Sequence, residues 1–270
     1  MIKYIFFDMD GTILDDDGYI TDESVKTIKE TEIPVTLVSA RAPIEMSEVI
    51  NRLELTEPQI AFNGGLIFQE INQQQKILEE HPLKADVARI LIQAIKSEFP
   101  KVSVSYYDLT HWYTDEINHG IEVEADIVHL QPDLISVEEV LSDKTEELLK
   151  IMLIGETESE ILALKEFLEN LQISDINIQR SNPLYLEITS KQAKKSHGID
   201  YIIEKENLKK NELAAFGDGH NDLPMFERVA YPIAMDNAPD EVKQHAKFIT
   251  KSNIQEGISY GIKEYLNKID

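Results

Sequence analysis

Ile2–Phe7 is a run of strand-forming residues, broken only by Lys3, that stops abruptly at Asp8-Met9-Asp10-Gly11-Thr12. A hydrophobic strand of this kind delivers its C-terminal end to the edge of a parallel sheet where α/β proteins place their ligands. Two carboxylates one residue apart therefore emerge at that edge, next to a glycine that lets main-chain amides approach an anion. The pattern restricts the chain to an α/β architecture in which this edge is the place to look for chemistry.

The first eighty residues continue the alternation of strand-like and helix-like segments. Residues 22–31 read as a helix capped at Thr21 or Asp22, Val35–Val38 as a strand, and a further helix opens near Pro43, where proline suits the first turn. Gln59–Phe62 and Leu66–Phe68 read as two strands around a tight turn at Asn63-Gly64-Gly65. The texture changes after His81-Pro82. Leu83, Val87, Ile90, Leu91, Ala94 and Ile95 recur at helical spacing up to Pro100. Val102, Val104 and Tyr106 alternate as in a half-buried strand, Trp112–Thr114 adds another, and Lys150–Gly155, Ile176–Gln179 and Tyr185–Ile188 follow, with a helix over Glu158–Leu171. From Lys194 onward helices alternate again with the strands Leu213–Phe216, Tyr231–Ala234 and Phe248–Thr250, before a last helix from about Ile254. The expected fold is α/β: a Rossmann-like parallel-sheet core domain, 1–82 plus 184–270, with an inserted α+β cap domain at 83–183.

Composition narrows the function. The 270 residues contain no cysteine, which removes disulfides, thiol nucleophiles and cysteine metal sites and suits a reducing, cytoplasmic setting. The N-terminus has no signal-peptide pattern, and no apolar run approaches the ~18 residues of a membrane span. A net charge of −24 makes nucleic acid and anionic membranes poor partners. It would also repel a phosphate at long range, so a cation and a few local basic side chains must reverse the field in any phosphate site. Residues 108–147 hold twelve Asp or Glu and one basic residue, Lys144; they form either a solvated acidic face or a lid selecting neutral or cationic leaving groups.

Chemistry-bearing residues gather after predicted strands. Asp8 and Asp10 suit a hard cation, a nucleophile and acid pair, or both. Ser39-Ala40-Arg41 ends the second strand; the serine either donates to a phosphate oxygen or caps the loop, and Arg41 either binds an anion or braces the loop. Leu213–Phe216 stops at Gly217-Asp218-Gly219-His220-Asn221-Asp222, an oxygen-rich set that suits Mg²⁺ better than zinc. Asp222 fits either a metal-bound water or a helix cap, and His220 faces solvent. Lys194 and Lys195 open a helix, where a cation opposes the dipole unless it neutralises something. Trp112 lies near Tyr106, Tyr107 and Tyr113 in sequence, a cluster for core packing or substrate stacking.

DMDGT at 8–12, SAR at 39–41, Lys195 and GDGHND at 217–222 resemble, in order and spacing, the four motifs of the haloacid dehalogenase-like superfamily. The insertion, FNGG at 62–65, LEIT at 186–189 and Ala234–Ala238 resemble its Cof-type (subfamily IIB) phosphatases. The resemblance covers essentially the whole chain. It implies a Mg²⁺-dependent phosphatase acting on small phosphorylated metabolites, sugar phosphates first, through an aspartyl-phosphate. Asp8 would be the nucleophile and Asp10 the acid and base, with Ser39 and Lys195 binding the phosphoryl oxygens. Met9, Gly11, Thr12, Ala40, Asn63 and Asn221 would bind phosphate or substrate, and Asp8, Asp10 (by its carbonyl), Asp218 and Asp222 would hold Mg²⁺. Ala40, Gln192, Ser196 and Asp236 stand where the family often has glycine, so Lys194 is an alternative to Lys195. A hexose phosphomutase with the same phosphoaspartate, and a non-catalytic phosphate-ligand sensor, are the other readings. A monomer or homodimer is expected.

Overall fold

The computed structural model describes residues 1–71, 74–142 and 147–269. They group into two compact units: one formed by Met1–Arg41, Met46–Glu79 and the chain from Lys194 onward, the other by Ala42–Glu45 and Glu80–Ala193.

The first unit is built on a five-stranded sheet in the order Phe248–Ile249, Tyr231–Ala234, Leu213–Gly217, Tyr4–Phe7, Val35–Leu37. Every pairing in it is parallel. Such a sheet is covered on both faces, and the sequence meets that demand: Tyr4 to Phe7 are all buried. Tyr4 and Phe6 join a core with Ile199, Ile202, Leu213, Ala215, Met225 and Phe226. Phe7 stacks on Phe216, with ring centroids 5.0 Å apart. Register then fixes the site. Phe7 sits opposite both Phe216 and Leu37, the Asp8 amide donates to the Phe216 carbonyl (3.0 Å), and the Val38 amide donates to the Phe7 carbonyl (2.8 Å). Phe7, Phe216 and Leu37 thus stand level; Asp8 follows at once, and Asp218 and Ser39 come two residues after their partners.

A three-stranded sheet, Gln59–Ala61, Leu66–Ile71 and Gln74–Glu80, extends this unit through a parallel bridge from Val38 to Ile60. Its first two strands match the expected pair; the third is an addition. The helix Lys195–Lys205 packs closely on this sheet because residue 198 is glycine: a Cβ there would lie 2.7 Å from Ile60 Cδ1. Gly198 therefore lets the N-terminus of that helix, with Lys195, settle at the strand ends.

The second unit carries a six-stranded sheet in the order Ile176–Asn182, Tyr185–Ser190, Lys150–Ile154, Ser103–Tyr107, Trp112–Thr114, Asp133–Leu134. It is antiparallel apart from the last, parallel pairing. One face packs against the helices Ala85–Glu98 and Glu158–Asn170 through Leu91, Ile92, Ile95, Ile151, Leu153 and Leu164. Tyr185–Ser190 pairs with Lys150–Ile154, so the chain stays in this sheet beyond residue 183, and LEIT belongs to the second unit. Ser103–Tyr107 differs from the half-buried strand expected of it. All five residues are buried, because it runs between two neighbours with covered faces.

The aromatic cluster divides between those faces. Tyr106 and Tyr113 stack within the apolar core, whereas Tyr107 and Trp112 stack (5.8 Å, 7° between planes) on the opposite side, with the Lys150 ammonium 4.4 Å from the Tyr107 ring centroid. The acidic stretch is only partly a solvated face. Asp108 and Glu124 are buried, and Asp115 pairs with Lys96 and accepts the Tyr106 hydroxyl (2.7 Å). Asp143, Lys144 and Glu146 lie outside the described residues.

Candidate active site

Asp8, Lys195, Asp218 and Asp222 converge at the strand ends. The Lys195 ammonium donates to Asp8 Oδ1 and, at 2.7 Å, to Asp222 Oδ1; the side chains of Lys195, Asp8 and Asp222 are 1%, 8% and 0% exposed. Lys194 is exposed, and its carbonyl packs against Gly64, so Lys195 is the lysine brought into the cluster. Gly64 needs its glycine, since φ is +94° and a Cβ would strike the Lys194 main chain.

Asp222 is buried, and although it stands at the N-cap position of the short helix Leu223–Phe226 its side chain makes no cap bond there. Its Oδ2 accepts the Asp218 and Gly219 amides at 3.0 and 2.9 Å, folding the loop around the carboxylate. Gly217 makes room for it, because a Cβ there would sit 2.6 Å from Asp222 Oδ2. Asp218 Oδ1 accepts the Thr12 hydroxyl at 3.3 Å, and Gly11, at φ +74°, passes so close to Asp218 that a Cβ would collide with its carboxylate.

Electrostatics set this cluster apart. Carboxylate oxygens of Asp8, Asp218 and Asp222 all lie within 4.8 Å of one another. Burial, then the charge of Asp222, pushes the Asp8 carboxyl well above the usual carboxylate range, against the pull of Lys195. The same two causes push Asp218 up to about 7, with Lys195 and the Thr12 hydroxyl pulling it down. Burial acts to lower the Lys195 ammonium, yet Asp222 and Asp8 overcome it and hold the group above the ordinary lysine value. Three carboxylates around one ammonium leave a negative excess that a divalent, oxygen-seeking cation would cancel. The donor set fits a metal ion such as Mg²⁺.

Other expected residues sit around this centre. Ser39 is fully buried, and its hydroxyl accepts the Arg41 amide at 3.1 Å. The loop it belongs to runs beside Phe62 and Asn63: Asn63 donates its amide to the Ser39 carbonyl (2.8 Å) and Phe62 to that of Arg41 (3.0 Å). Phe62 and Asn63 are both left-handed, at φ 50° and 55°, which tightens the Asn63-Gly64-Gly65 turn. Met9 is buried, Ala40 is partly exposed, and Asn221 sets its amide oxygen against Gly219. His220 is exposed and pairs with Glu241 at 2.9 Å.

Asp10 differs from the simplest expectation. Its carboxylate stands outside the cluster in a two-pronged pair with Arg41, with Nε at 3.0 and 3.1 Å and Nη2 at 2.6 Å. Arg41 therefore braces the Asp10 loop in this structure. Asn237 lies in the Ala234–Ala238 segment, to which the sequence assigns no role: its Nδ2 donates to the Gly11 carbonyl (2.8 Å) and to Asp218 Oδ2 (3.2 Å). Its signal was positional, a polar side chain just past the end of the Tyr231–Ala234 strand.

A parallel α/β sheet whose strand ends gather buried carboxylates around one lysine is where an α/β enzyme builds its active site. The sequence matches the haloacid dehalogenase-like hydrolase family over residues 5–262, and the chain belongs to that family. It is 31% identical over 270 residues to a provisionally named phosphatase of Haemophilus influenzae, covering 98% of each chain. It is 28% identical to the 5-amino-6-(5-phospho-D-ribitylamino)uracil phosphatase YitU of Bacillus subtilis, covering 97% of each. The crystal structure of TM0651 from Thermotoga maritima superposes with a TM-score of 0.84 at 27% identity, covering 97% of both chains. Among the described residues no helix is long and apolar enough to cross a membrane.

Proposed function

We propose that this hydrolase is a Mg²⁺-dependent phosphatase that removes the phosphoryl group of small phosphorylated metabolites, sugar or sugar-alcohol phosphates first, through an aspartyl-phosphate on Asp8. The observation that carries the reading is the buried Lys195 bridging Asp8 and Asp222 beside Asp218. The ribityl phosphate in the name of the Bacillus relative supports a polyol-type leaving group.

A carboxylate is a weak nucleophile, so the site must keep it ionised and aimed. Lys195 aims the carboxylate by holding Oδ1 and pulls toward its ionised form against burial and Asp222, which leaves the other Asp8 oxygen without a protein donor among the described residues and able to attack phosphorus. The same ammonium, the Ser39 hydroxyl and the main-chain amides near Met9–Thr12 and Ala40 offset charge gathering on the phosphoryl oxygens. As the P–O bond to the leaving alcohol breaks, Asp10 gives that oxygen a proton. Asp10 must part from Arg41 to do so, and its 58% exposed side chain has the freedom to turn. Water then attacks phosphorus while Asp10 takes its proton; the bond to Asp8 breaks and phosphate leaves. Bound by Asp8, Asp218, Asp222 and the Asp10 carbonyl, Mg²⁺ would supply charge neutralisation and alignment.

Purified protein with Mg²⁺ and a panel of sugar and sugar-alcohol phosphates should release inorganic phosphate, and Asp8→Asn should not. Unchanged turnover by Asp8→Asn would remove the reading.

A further inference from the structure

We propose that Asn237 is a positioning residue that sets the affinity of the carboxylate cluster for its divalent cation by fixing the Asp218 carboxylate. The inference rests on the reading that this cluster holds a metal.

The Asn237 amide is fully committed. Its two Nδ2 protons go to the Gly11 carbonyl (2.8 Å) and Asp218 Oδ2 (3.2 Å), and its Oδ1 accepts the Asn253 amide at 3.1 Å. That last bond decides the orientation, since a flipped amide would turn its oxygen toward a carbonyl and a carboxylate. Asp218 is thereby held on three sides: Asn237 on Oδ2, Thr12 on Oδ1, and the Gly11 main chain pressed against it. Thr12 ties its own loop directly to Asp218 Oδ1, and Asn237 adds a second tie by holding Oδ2 and the Gly11 carbonyl with one amide, so it helps fix the separation of two groups that would share one ion.

A ligand already aimed loses little freedom when the ion arrives, and donors behind metal ligands carry about 10–100-fold of metal affinity. Asn237 also places a donor proton beside a carboxylate crowded by other carboxylates, without adding charge. Simple loop tethering is the rival account, and the structure separates the two. Asn253 Nδ2 grips the same loop further on, at the Leu14 carbonyl and Asp16 Oδ1 (both 3.1 Å), without a side-chain contact to Asp218. Asn253→Ala loosens the loop yet keeps the main-chain amide that orients Asn237.

The test is titration of the full-length protein with Mn²⁺, with free ion followed by electron paramagnetic resonance and no substrate present. Asn237 is exposed, and its truncation leaves no buried cavity. Asn237→Ala should weaken Mn²⁺ binding about 10–100-fold and raise the Mg²⁺ needed for half-maximal turnover by the same factor. Asn253→Ala should bind Mn²⁺ as the wild type does. Wild-type affinity in Asn237→Ala overturns the proposal, as does an equal loss in Asn253→Ala, and both leave the phosphatase reading intact. A wild-type protein that binds no Mn²⁺ overturns the metal reading as well.

Discussion

Replacing Lys195 with methionine removes the one ammonium from between Asp8 and Asp222 while keeping most of the side chain's volume. Removing one partner of a buried ion pair costs about 3–5 kcal/mol, because the remaining charge stays buried and uncompensated. The upper part of that range applies, since the ammonium serves two carboxylates and all three side chains are at most 8% exposed. For a domain of this size each kcal/mol lowers the melting temperature by about 2–4 °C, so Lys195→Met should melt roughly 10–20 °C below the wild type without metal. The pH dependence has a definite sign. Burial and Asp222 already raise the Asp8 carboxyl, and losing Lys195 removes what pulls it down. A carboxyl whose folded pKa lies above its unfolded value penalises folding once pH exceeds the unfolded value, and the penalty grows until the folded pKa is passed. The deficit of Lys195→Met should therefore be larger at about pH 8 than at about pH 5. Adding Asp8→Asn to the variant should recover part of the stability, because one of the two orphaned charges is gone. Calorimetry with chelator at both pH values measures all three effects. A Lys195→Met protein melting within about 2 °C of wild type at about pH 8 would refute the argument.

Gly198→Ala should overpack Ile60 by about 1–3 kcal/mol, push Lys195 off Asp8 and lower kcat; adding Ile60→Val should restore part of both, read by melting and turnover. Mg²⁺ must displace the proton that Asp218 holds below about pH 7, so affinity by calorimetry should fall as pH drops through 7, with protons released on binding; a flat profile would contradict it. In the second unit burial acts to raise Asp108, but the Thr110 amide, the Tyr113 hydroxyl and the His111 amide outweigh it and hold the carboxyl below its usual value. Its stabilisation is present above the unfolded value near 4 and lost as pH falls through the lower folded value, so Asp108→Asn should flatten the acid limb of an unfolding curve.

The sequence showed the parts of this site that each strand delivers by itself. Asp8, Ser39 and Asp218 each follow an apolar run, and a polar residue ending such a run has nowhere to go but the sheet edge. Contacts between distant segments were hidden. Asn237 meets Gly11 and Asp218 only because Tyr231–Ala234 pairs beside Leu213–Gly217, and sequence order does not fix that neighbour. The Arg41–Asp10 pair is of the same kind: either side chain alone could have turned to solvent. The strand Gln74–Glu80 escaped because most of its residues are exposed and no apolar alternation marks it. The helix His119–Val128 escaped because it buries only Ile121, Glu124 and Ala125, too few apolar residues for a helical stripe.

The proposed chemistry requires that Asp8 become phosphorylated in turnover. Protein quenched in acid during steady-state hydrolysis of a phosphorylated substrate, then digested and analysed by mass spectrometry, tests this directly. The phosphoryl mass should appear on the N-terminal peptide at Asp8 and vanish when substrate is exhausted. A phosphoryl group on another residue, or none on the protein while hydrolysis is running, would contradict it.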